Sequence, residues 1–173
     1  MNTAIIVVAL VALERVAELI YSARNTRALR ARGAIEIGRA HYPFIVVLHA
    51  AWLASLVVFL PKPTTIHWPW LAVFIVLQAL RIWVIASIGS YWTTRILSLP
   101  EAPLVQRGPY RYLRHPNYMV VAGEIVSLPL AFGEVGVAIA FSVLNAGMLA
   151  WRISVEERAL AARRSGIKAP RSA

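Results

Sequence analysis

The densest group of side chains with chemical potential is the twelve-residue segment 107–118, Arg-Gly-Pro-Tyr-Arg-Tyr-Leu-Arg-His-Pro-Asn-Tyr. It combines glycine and proline, which form turns, with one imidazole, three phenols and three guanidinium groups. Arginine binds carboxylates or phosphates bidentately and stays charged, and tyrosine rings can face a cation, including a sulfonium. The segment therefore suits an anionic, aromatic or cationic cofactor. The alternative is a basic and aromatic belt that contacts only lipid headgroups.

A second candidate group is the pair of adjacent carboxylates Glu156 and Glu157. Adjacent side chains on a helix point about 100° apart, so the two carboxylates can bind different partners. A carboxylate accepts hydrogen bonds from ribose hydroxyls or from an ammonium group. The alternative is an ordinary solvated helix in which Arg152 pairs with Glu156, four residues further on.

Five ionisable residues interrupt the apolar segments: Glu14, Arg15, Glu18, Arg81 and Glu124. At 1.5 Å per residue, Glu14, Arg81 and Glu124 lie about 10–15 Å below the membrane surface. Charges at such a depth are costly unless they are paired or hydrated, and they usually mark a site. We expect either a polar substrate cavity at Glu14, Arg81 and Glu124, or ion pairs that hold the bundle together. In the second case Arg15 pairs with Glu18, and Arg81 pairs with Glu14 or Glu124; the two interpretations are compatible.

The elements that must position these groups are apolar helices. Hydrophobic residues make up 59% of the 173 residues, more than a soluble domain of this length could bury in one core. A membrane span needs about 20 apolar residues. The chain therefore predicts a single all-α, polytopic membrane domain over residues 1–173, with a C-terminal helical hairpin. The five predicted spans are 3–22, 42–60, 68–88, 118–132 and 135–151.

The distribution of basic residues predicts the orientation. Of eighteen Lys and Arg residues, fifteen lie in 24–39, 89–117 and 152–173, on one side of a five-span protein. The positive-inside rule places these segments and the C-terminus in the cytoplasm and the N-terminus outside. Because the basic residues flank apolar segments, the net charge of +10 indicates membrane lipids as partners, with no nucleic acid. With no cysteine, neither a disulfide nor a Cys-ligated metal is expected, and no metal site is predicted.

Three motifs together resemble the integral-membrane methyltransferases that include isoprenylcysteine carboxyl methyltransferase and the phospholipid methyltransferases. The motifs are Gly108-Pro109-Tyr110, Arg114-His115-Pro116-Asn117-Tyr118, and Arg152–Leu160 with its Glu156-Glu157 pair. The resemblance covers about residues 70–162, and the motifs occur in the right order and at the right separation. The N-terminal part is similar to a bacterial branch associated with methylation of alkylpyrones and alkylresorcinols. That similarity rests on Glu14-Arg15, Arg24-Asn25, Glu36-Ile37-Gly38 and His41-Tyr42, and it implies the inner membrane of a bacterium.

The resemblance implies an S-adenosylmethionine-dependent methyltransferase whose cofactor is held by about residues 89–164 and whose lipophilic acceptor enters from the bilayer. The cofactor-binding residues implied are Gly108, Pro109, Tyr110, Arg114, His115, Pro116, Tyr118, Glu156 and Glu157. The tail after Glu157 is shorter than in the prenylcysteine enzymes, so the resemblance does not specify prenylcysteine as the acceptor.

Methyl transfer is an in-line displacement that relies mainly on positioning and desolvation. A carboxylate or enol acceptor needs no strong base, whereas a phenol, with a pKa near about 10, does. We predict Arg114 and His115, beside the cofactor, as catalytic residues, and His41 as the base or the group that orients the acceptor. His49 and His67 are expected to be structural. Phospholipid N-methylation, a lipid-modifying reductase, and a non-enzymatic scaffold or transporter subunit are the alternative functions.

Overall fold

The computed structural model describes residues 3–99 and 106–164 and is a bundle of five α-helices. Their bounds are α1 (Thr3–Ala31), α2 (Tyr42–Val58), α3 (Trp68–Ile88), α4 (Pro116–Ala131) and α5 (Val135–Arg164). Single 3₁₀ turns lie at Arg39–His41, Gly89–Tyr91 and Gly108–Arg111. We call the end of the bundle that carries these three turns the loop face.

Within the described residues, three helices are long and apolar enough to cross a membrane, namely α2, α3 and α5. Helix α1 has 29 residues but carries three charged side chains in its middle. Helix α4 has 16 residues and rises about 24 Å, less than the thickness of about 30 Å of a hydrocarbon core. The prediction of a polytopic helical membrane protein is therefore supported, whereas the number of five spans stays a prediction.

Four helices differ in length from the predicted spans. Helix α1 continues beyond Ser22 to Ala31, and α5 continues beyond Trp151 to Arg164. The added segments are rich in Arg, Ala and Leu, which favour helix regardless of hydropathy, so the helices do not end where the apolar residues do. Helix α2 ends two residues before the predicted 60, ahead of Pro61, and α4 covers 116–131 instead of 118–132.

A two-stranded antiparallel sheet, which the all-α prediction did not include, joins the loops at the loop face. Strand β1 (Ile35–Ile37) pairs with β2 (Ile96–Ser98), and Glu36 lies opposite Leu97. The Glu36 carboxylate is buried and accepts hydrogen bonds from Arg30 and from Arg95 Nη1, the latter at 2.5 Å. The segment after α1 is thereby attached to the segment after α3.

The half of the bundle away from the loop face is packed with apolar side chains. Its fully buried members include Trp52 and Leu56 of α2 and Ile125 and Leu128 of α4. Since lipid tails are as apolar as these side chains, close packing stabilises this half more than the hydrophobic effect does.

The charged side chains of the apolar segments form one network between α1, α3 and α4. The Arg81 guanidinium donates two hydrogen bonds to Glu18 and one to Glu124, the latter at 3.0 Å. The Arg15 guanidinium contacts Glu18 at 3.0 Å and Glu124 at 3.2 Å. The expected pairs of Arg15 with Glu18 and of Arg81 with Glu124 are therefore present. The alternative pair of Arg81 with Glu14 is wrong, because Glu14 instead accepts a hydrogen bond from Gln78.

Candidate functional site

The Gly108-Pro109-Tyr110 motif holds the loop against the end of α3. Gly108 has a φ of 58°, and a Cβ atom at this position would lie 2.1 Å from Ser87 Oγ. No other residue fits there without moving α3 or the loop. Arg107 Nε donates a 2.7 Å hydrogen bond to the Ser87 carbonyl oxygen, and Pro109 is buried. Gly108 and Pro109 therefore act on the shape of the loop.

A polar cavity of approximately 170 Å³ lies beneath this loop. Five of the nine residues predicted to bind the cofactor line it: Tyr110, Arg114, His115, Tyr118 and Glu156. The rest of its wall comes from the end of α3, the segment that follows, Asn117 and Arg152. The other four predicted residues, Gly108, Pro109, Pro116 and Glu157, lie around the cavity without lining it.

A chain of hydrogen bonds positions the Glu156 carboxylate. The Tyr118 hydroxyl donates to Glu156 Oε2 at 2.5 Å and accepts from Arg152 Nε at 2.8 Å. Arg152 also donates to the Thr94 carbonyl oxygen at 2.8 Å. Among the described residues, this relay through Tyr118 takes the place of a direct pair of Arg152 with Glu156, which was the alternative interpretation. One carboxylate oxygen of Glu156 is thus fixed while the side chain stays half-buried at the cavity.

The imidazole of His115 covers one side of the cavity. Its ring stacks on Tyr118 with 5.3 Å between centroids, and its Nδ1 lies 3.7 Å from Glu156 Oε2. Its Nε2 lies 3.9 Å from Glu157 Oε1, and Arg114 Nη1 lies 4.0 Å from the same oxygen. The His115 ring therefore lies between the two carboxylates, and Arg114 and Glu157 are largely exposed.

Tyr110 contributes a hydroxyl to the same cavity. Burial and the nearby Glu156 carboxylate raise the pKa of Tyr110. The phenol therefore remains protonated and can donate a hydrogen bond to a bound molecule.

A second, largely apolar cavity of approximately 320 Å³ lies between the helices. One stripe of each of α1, α2 and α5 lines it, together with parts of α3 and α4. Of the three residues predicted to form a substrate cavity, only Arg81 lines it; Glu14 and Glu124 are not among its lining residues. Glu124 is held behind the wall by Arg81 and Arg15, so Arg15 and Glu18 occupy the positions expected for Glu14 and Glu124.

His41, at the N-terminus of α2, and His49, within α2, lie in each other's expected environment. His41 is only 2% exposed, packs 6.0 Å from the Trp151 ring, and lines neither cavity. The structure therefore places His41 outside the two cavities, and its role as base or as the group that orients the acceptor stays a prediction. His49, which was expected to be structural, lines the apolar cavity. His41 and His49 are eight residues apart, and their side chains point in different directions from the helix axis.

The polar and apolar cavities share one wall. The residues common to both are Trp92, Thr93, Asn117, Tyr118 and Arg152. Asn117 Oδ1 is buried in this wall and has no hydrogen-bond partner among the described residues. A buried acceptor without a partner is costly, typically about 1–3 kcal/mol, and so a ligand group at this wall would satisfy it.

The residues of the polar cavity fit a nucleoside sulfonium cofactor. The stacked rings of the protein can contact the base of the cofactor. The protein's carboxylate and phenol groups can bind the hydroxyl and ammonium groups of the cofactor, and Arg114 can bind its carboxylate. Ligand pockets usually occupy about 300–1,000 Å³. The polar cavity is smaller than this, so a cofactor of that size would also use the shared wall and the adjoining space of the apolar cavity. The apolar cavity supplies the space for a lipophilic molecule on the other side of the shared wall.

Sequence reasoning missed several side chains that line the cavities. Asn117 was part of a motif but received no role, and Asn145, Thr93 and Thr94 were not singled out. For Asn145 a usable signal existed, because an amide in the middle of an apolar helix is as unexpected as the charges that were noticed. For the threonines no such signal exists, since they occur in many loops.

Comparison with known proteins supports the resemblance seen in the motifs. The model of the isoprenylcysteine carboxyl methyltransferase (ICMT) family matches residues 70–162. YpbQ of Bacillus subtilis, described as an uncharacterized protein, is 38% identical over 160 residues, which are 90% of this chain and 95% of the relative. An uncharacterized protein of Haemophilus influenzae is 28% identical over 144 residues, 80% of this chain and 84% of that relative. No solved structure matches the chain.

Proposed function

The chain belongs to the isoprenylcysteine carboxyl methyltransferase family, as its motifs predicted, and we propose from this premise that it methylates an oxygen of a lipophilic acceptor. The family implies an S-adenosylmethionine-dependent methyltransferase that acts on a membrane-associated substrate. The proposal for this chain adds that the cofactor binds in the polar cavity and that the acceptor enters the apolar cavity from the bilayer. A carboxylate, an enol or a phenol could supply the oxygen.

The observation that supports this proposal most strongly is the wall common to both cavities. Methyl transfer requires the donor and the acceptor to meet in line with water excluded. Two adjoining cavities, one polar and one apolar, separated by a few side chains, provide that arrangement. A scaffold protein would need neither cavity, and a reductase would bind a dinucleotide in place of a sulfonium.

The residues of the chain have distinct parts in this mechanism. Glu156 and Tyr110 would bind hydroxyl or ammonium groups of the cofactor, and His115 would stack on it. When bound, S-adenosylmethionine supplies an electrophilic methyl group. Arg152, which has N–H groups left to donate, would hold the acceptor oxygen at the shared wall beside Tyr118, while the apolar stripes exclude water. Asn117 Oδ1 would accept weak C–H hydrogen bonds from the carbon atoms next to the sulfonium of the bound cofactor, which carry partial positive charge.

We also infer that the loop face is cytoplasmic, because basic residues concentrate there and the cofactor is a soluble metabolite. The chain has no natural cysteine, so single cysteines report its topology directly. In intact cells, Thr65→Cys should react with a membrane-impermeant maleimide, whereas Ala31→Cys should react only after the membrane is opened; both positions are exposed. Labelling of Ala31→Cys in intact cells would reverse the orientation.

Cofactor binding gives the direct test of the proposed function. We expect purified protein to be stabilised by S-adenosylhomocysteine and not by NADPH in a thermal-shift measurement. Glu156→Gln should weaken S-adenosylhomocysteine binding about 10- to 150-fold, because a charge-assisted hydrogen bond contributes about 1.5–3 kcal/mol.

The matched control is Glu157→Gln, which changes the same chemical group on the adjacent residue. Glu157 lies outside the polar cavity and is more than half exposed, so its substitution should weaken binding less than that of Glu156. Stabilisation by NADPH alone would assign the site to a reductase. Absence of stabilisation by either compound would contradict an enzyme that uses these cofactors.

A further inference from the structure

Thr94, which directly follows Thr93 of the shared wall, contacts side chains of three helices. The Ser22 and Thr94 hydroxyls lie 2.8 Å apart, the Tyr42 and Thr94 hydroxyls lie 3.3 Å apart, and Arg152 donates to the Thr94 carbonyl oxygen. These contacts place Ser22 of α1, Tyr42 of α2 and Arg152 of α5 at one level of the bundle. We call these four residues the Thr94 junction.

A second polar level lies seven residues away from the junction on each helix. Arg15 precedes Ser22 by seven residues, His49 follows Tyr42 by seven, and Asn145 precedes Arg152 by seven. Seven residues make about two helical turns, or about 10 Å, on the same face of a helix.

Helix α3 brings a fourth polar side chain to this level. Arg81 precedes Ile88, which lines the polar cavity, by the same seven residues. All four side chains line the apolar cavity. We call Arg15, His49, Arg81 and Asn145 the deep polar layer.

Between the two polar levels the cavity wall is mainly apolar. Leu19, Ile45, Val46, Val121 and Leu149 line this stretch. The one charged lining residue there, Glu18, is neutralised by Arg15 and Arg81. A molecule that spans from the junction to the deep polar layer must therefore be apolar in its middle.

Two members of the deep polar layer have hydrogen-bonding capacity left over. Asn145 is 3% exposed and makes no hydrogen bond with the described residues, although its side chain lines the cavity. His49 Nδ1 bonds to the carbonyl oxygen of Ile45 at 2.9 Å. An imidazole nitrogen bound to a carbonyl carries the proton, so His49 Nε2 is left as an acceptor. A purely structural layer would satisfy these groups within the protein, as it does for Arg81 and Glu18.

From this geometry we propose that the methyl acceptor carries a second oxygen, a hydroxyl or a ketone, about 10 Å from the oxygen that is methylated. The deep polar layer binds this second oxygen. Asn145 can donate to it or accept from it, the arginines can donate to it, and His49 Nε2 can accept from a hydroxyl. The acceptor is then an oxygenated lipid that is polar at two points. The inference rests on the proposed function for the identity of the first oxygen, whereas the second binding site stands on the cavity alone.

Binding of hydroxylated fatty acids tests the proposal. Octadecanoic acids with one hydroxyl near carbon five, nine or fifteen share composition and partition similarly into detergent. With about 1.2 Å per bond along an extended chain, a hydroxyl at carbon nine lies on the order of 10 Å from the carboxyl group. Quenching of intrinsic fluorescence, to which Trp92 in the cavity wall contributes, gives the dissociation constants.

We expect the wild-type protein to bind the carbon-nine isomer about 2- to 12-fold more tightly than the other two and than octadecanoic acid, the effect of one hydrogen bond. Asn145→Leu and His49→Phe should each reduce this preference. Ser142→Ala, one turn away on α5, should keep it, because the Ser142 hydroxyl bonds to its own helix at Ala138.

Equal binding of all isomers by the wild-type protein would overturn the proposal. A preference that is retained in both Asn145→Leu and His49→Phe would overturn it as well. Binding of S-adenosylhomocysteine is measured on the same samples. If that binding is present and the preference is absent, only the second oxygen is wrong. If the preference is present and S-adenosylhomocysteine does not bind, the deep polar layer is a lipid site and the methyltransferase proposal fails.

Discussion

Replacing Arg81 by methionine should unfold the protein at a markedly lower temperature in detergent. Arg81 is 6% exposed and neutralises Glu18 and Glu124, so its loss leaves three carboxylates around the single guanidinium of Arg15. Removing one member of a buried ion pair costs on the order of 3–5 kcal/mol, whereas replacing both members by neutral groups can be nearly neutral. Thermal unfolding followed by circular dichroism measures the effect.

Double variants identify which carboxylate depends on Arg81. Adding Glu18→Gln should recover most of the loss, because Glu18 accepts two of the three Arg81 hydrogen bonds. Adding Glu124→Gln should recover less. Glu14→Gln is the matched control and should recover little, since Glu14 bonds to Gln78 and is more exposed. Equal recovery by Glu14→Gln would mean that overall charge, and not the specific contacts, sets the stability.

Replacing Asn117 by leucine should lower methyl transfer about 100-fold while cofactor binding changes little. Asn117 Oδ1 is the buried acceptor without a described partner in the wall between the cavities, and a displacement of about 1 Å at such a point costs about that factor. Transfer of label from S-adenosylmethionine into solvent-extractable lipid measures the rate, and S-adenosylhomocysteine titration measures binding.

Met119→Leu is the control for this substitution, because Met119 lies two residues further along α4 and is 60% exposed. Its rate should equal that of the wild-type protein. A parallel loss of rate and of cofactor binding in Asn117→Leu would place Asn117 in the polar cavity alone. An unchanged rate would separate the unpartnered oxygen from the reaction.

The helical bundle could be predicted because apolar length and basic flanks are properties of single segments. The limits of α1 and α5 could not, since hydropathy reports where lipid ends and not where a helix ends. The strands at Ile35–Ile37 and Ile96–Ser98 escaped prediction for another reason. Each has three residues, and their pairing joins segments that are about sixty residues apart.

The prediction of the site succeeded where a residue's function depends on its local motif. Tyr110, His115 and Tyr118 line the polar cavity together because one short segment, the loop and the first turn of α4, carries them all. The apolar cavity depends instead on which faces of separate helices meet. A depth count along each helix cannot give the direction of a side chain, and so Arg15 and Glu18 are found in the wall in place of Glu14 and Glu124. Similarly, His41 and His49 could be assigned only once the rotation of α2 was known.

The family match begins at residue 70, and the two cavities lie differently with respect to this boundary. Every residue that lines the polar cavity lies between Ile88 and Glu156, within the matched segment. Half of the residues that line the apolar cavity belong to α1 and α2, before it. Under the proposed function, the first two helices would therefore line half of the acceptor site and none of the cofactor site. Exchanging residues 1–67 between relatives should then alter the choice of acceptor and retain the methyl donor.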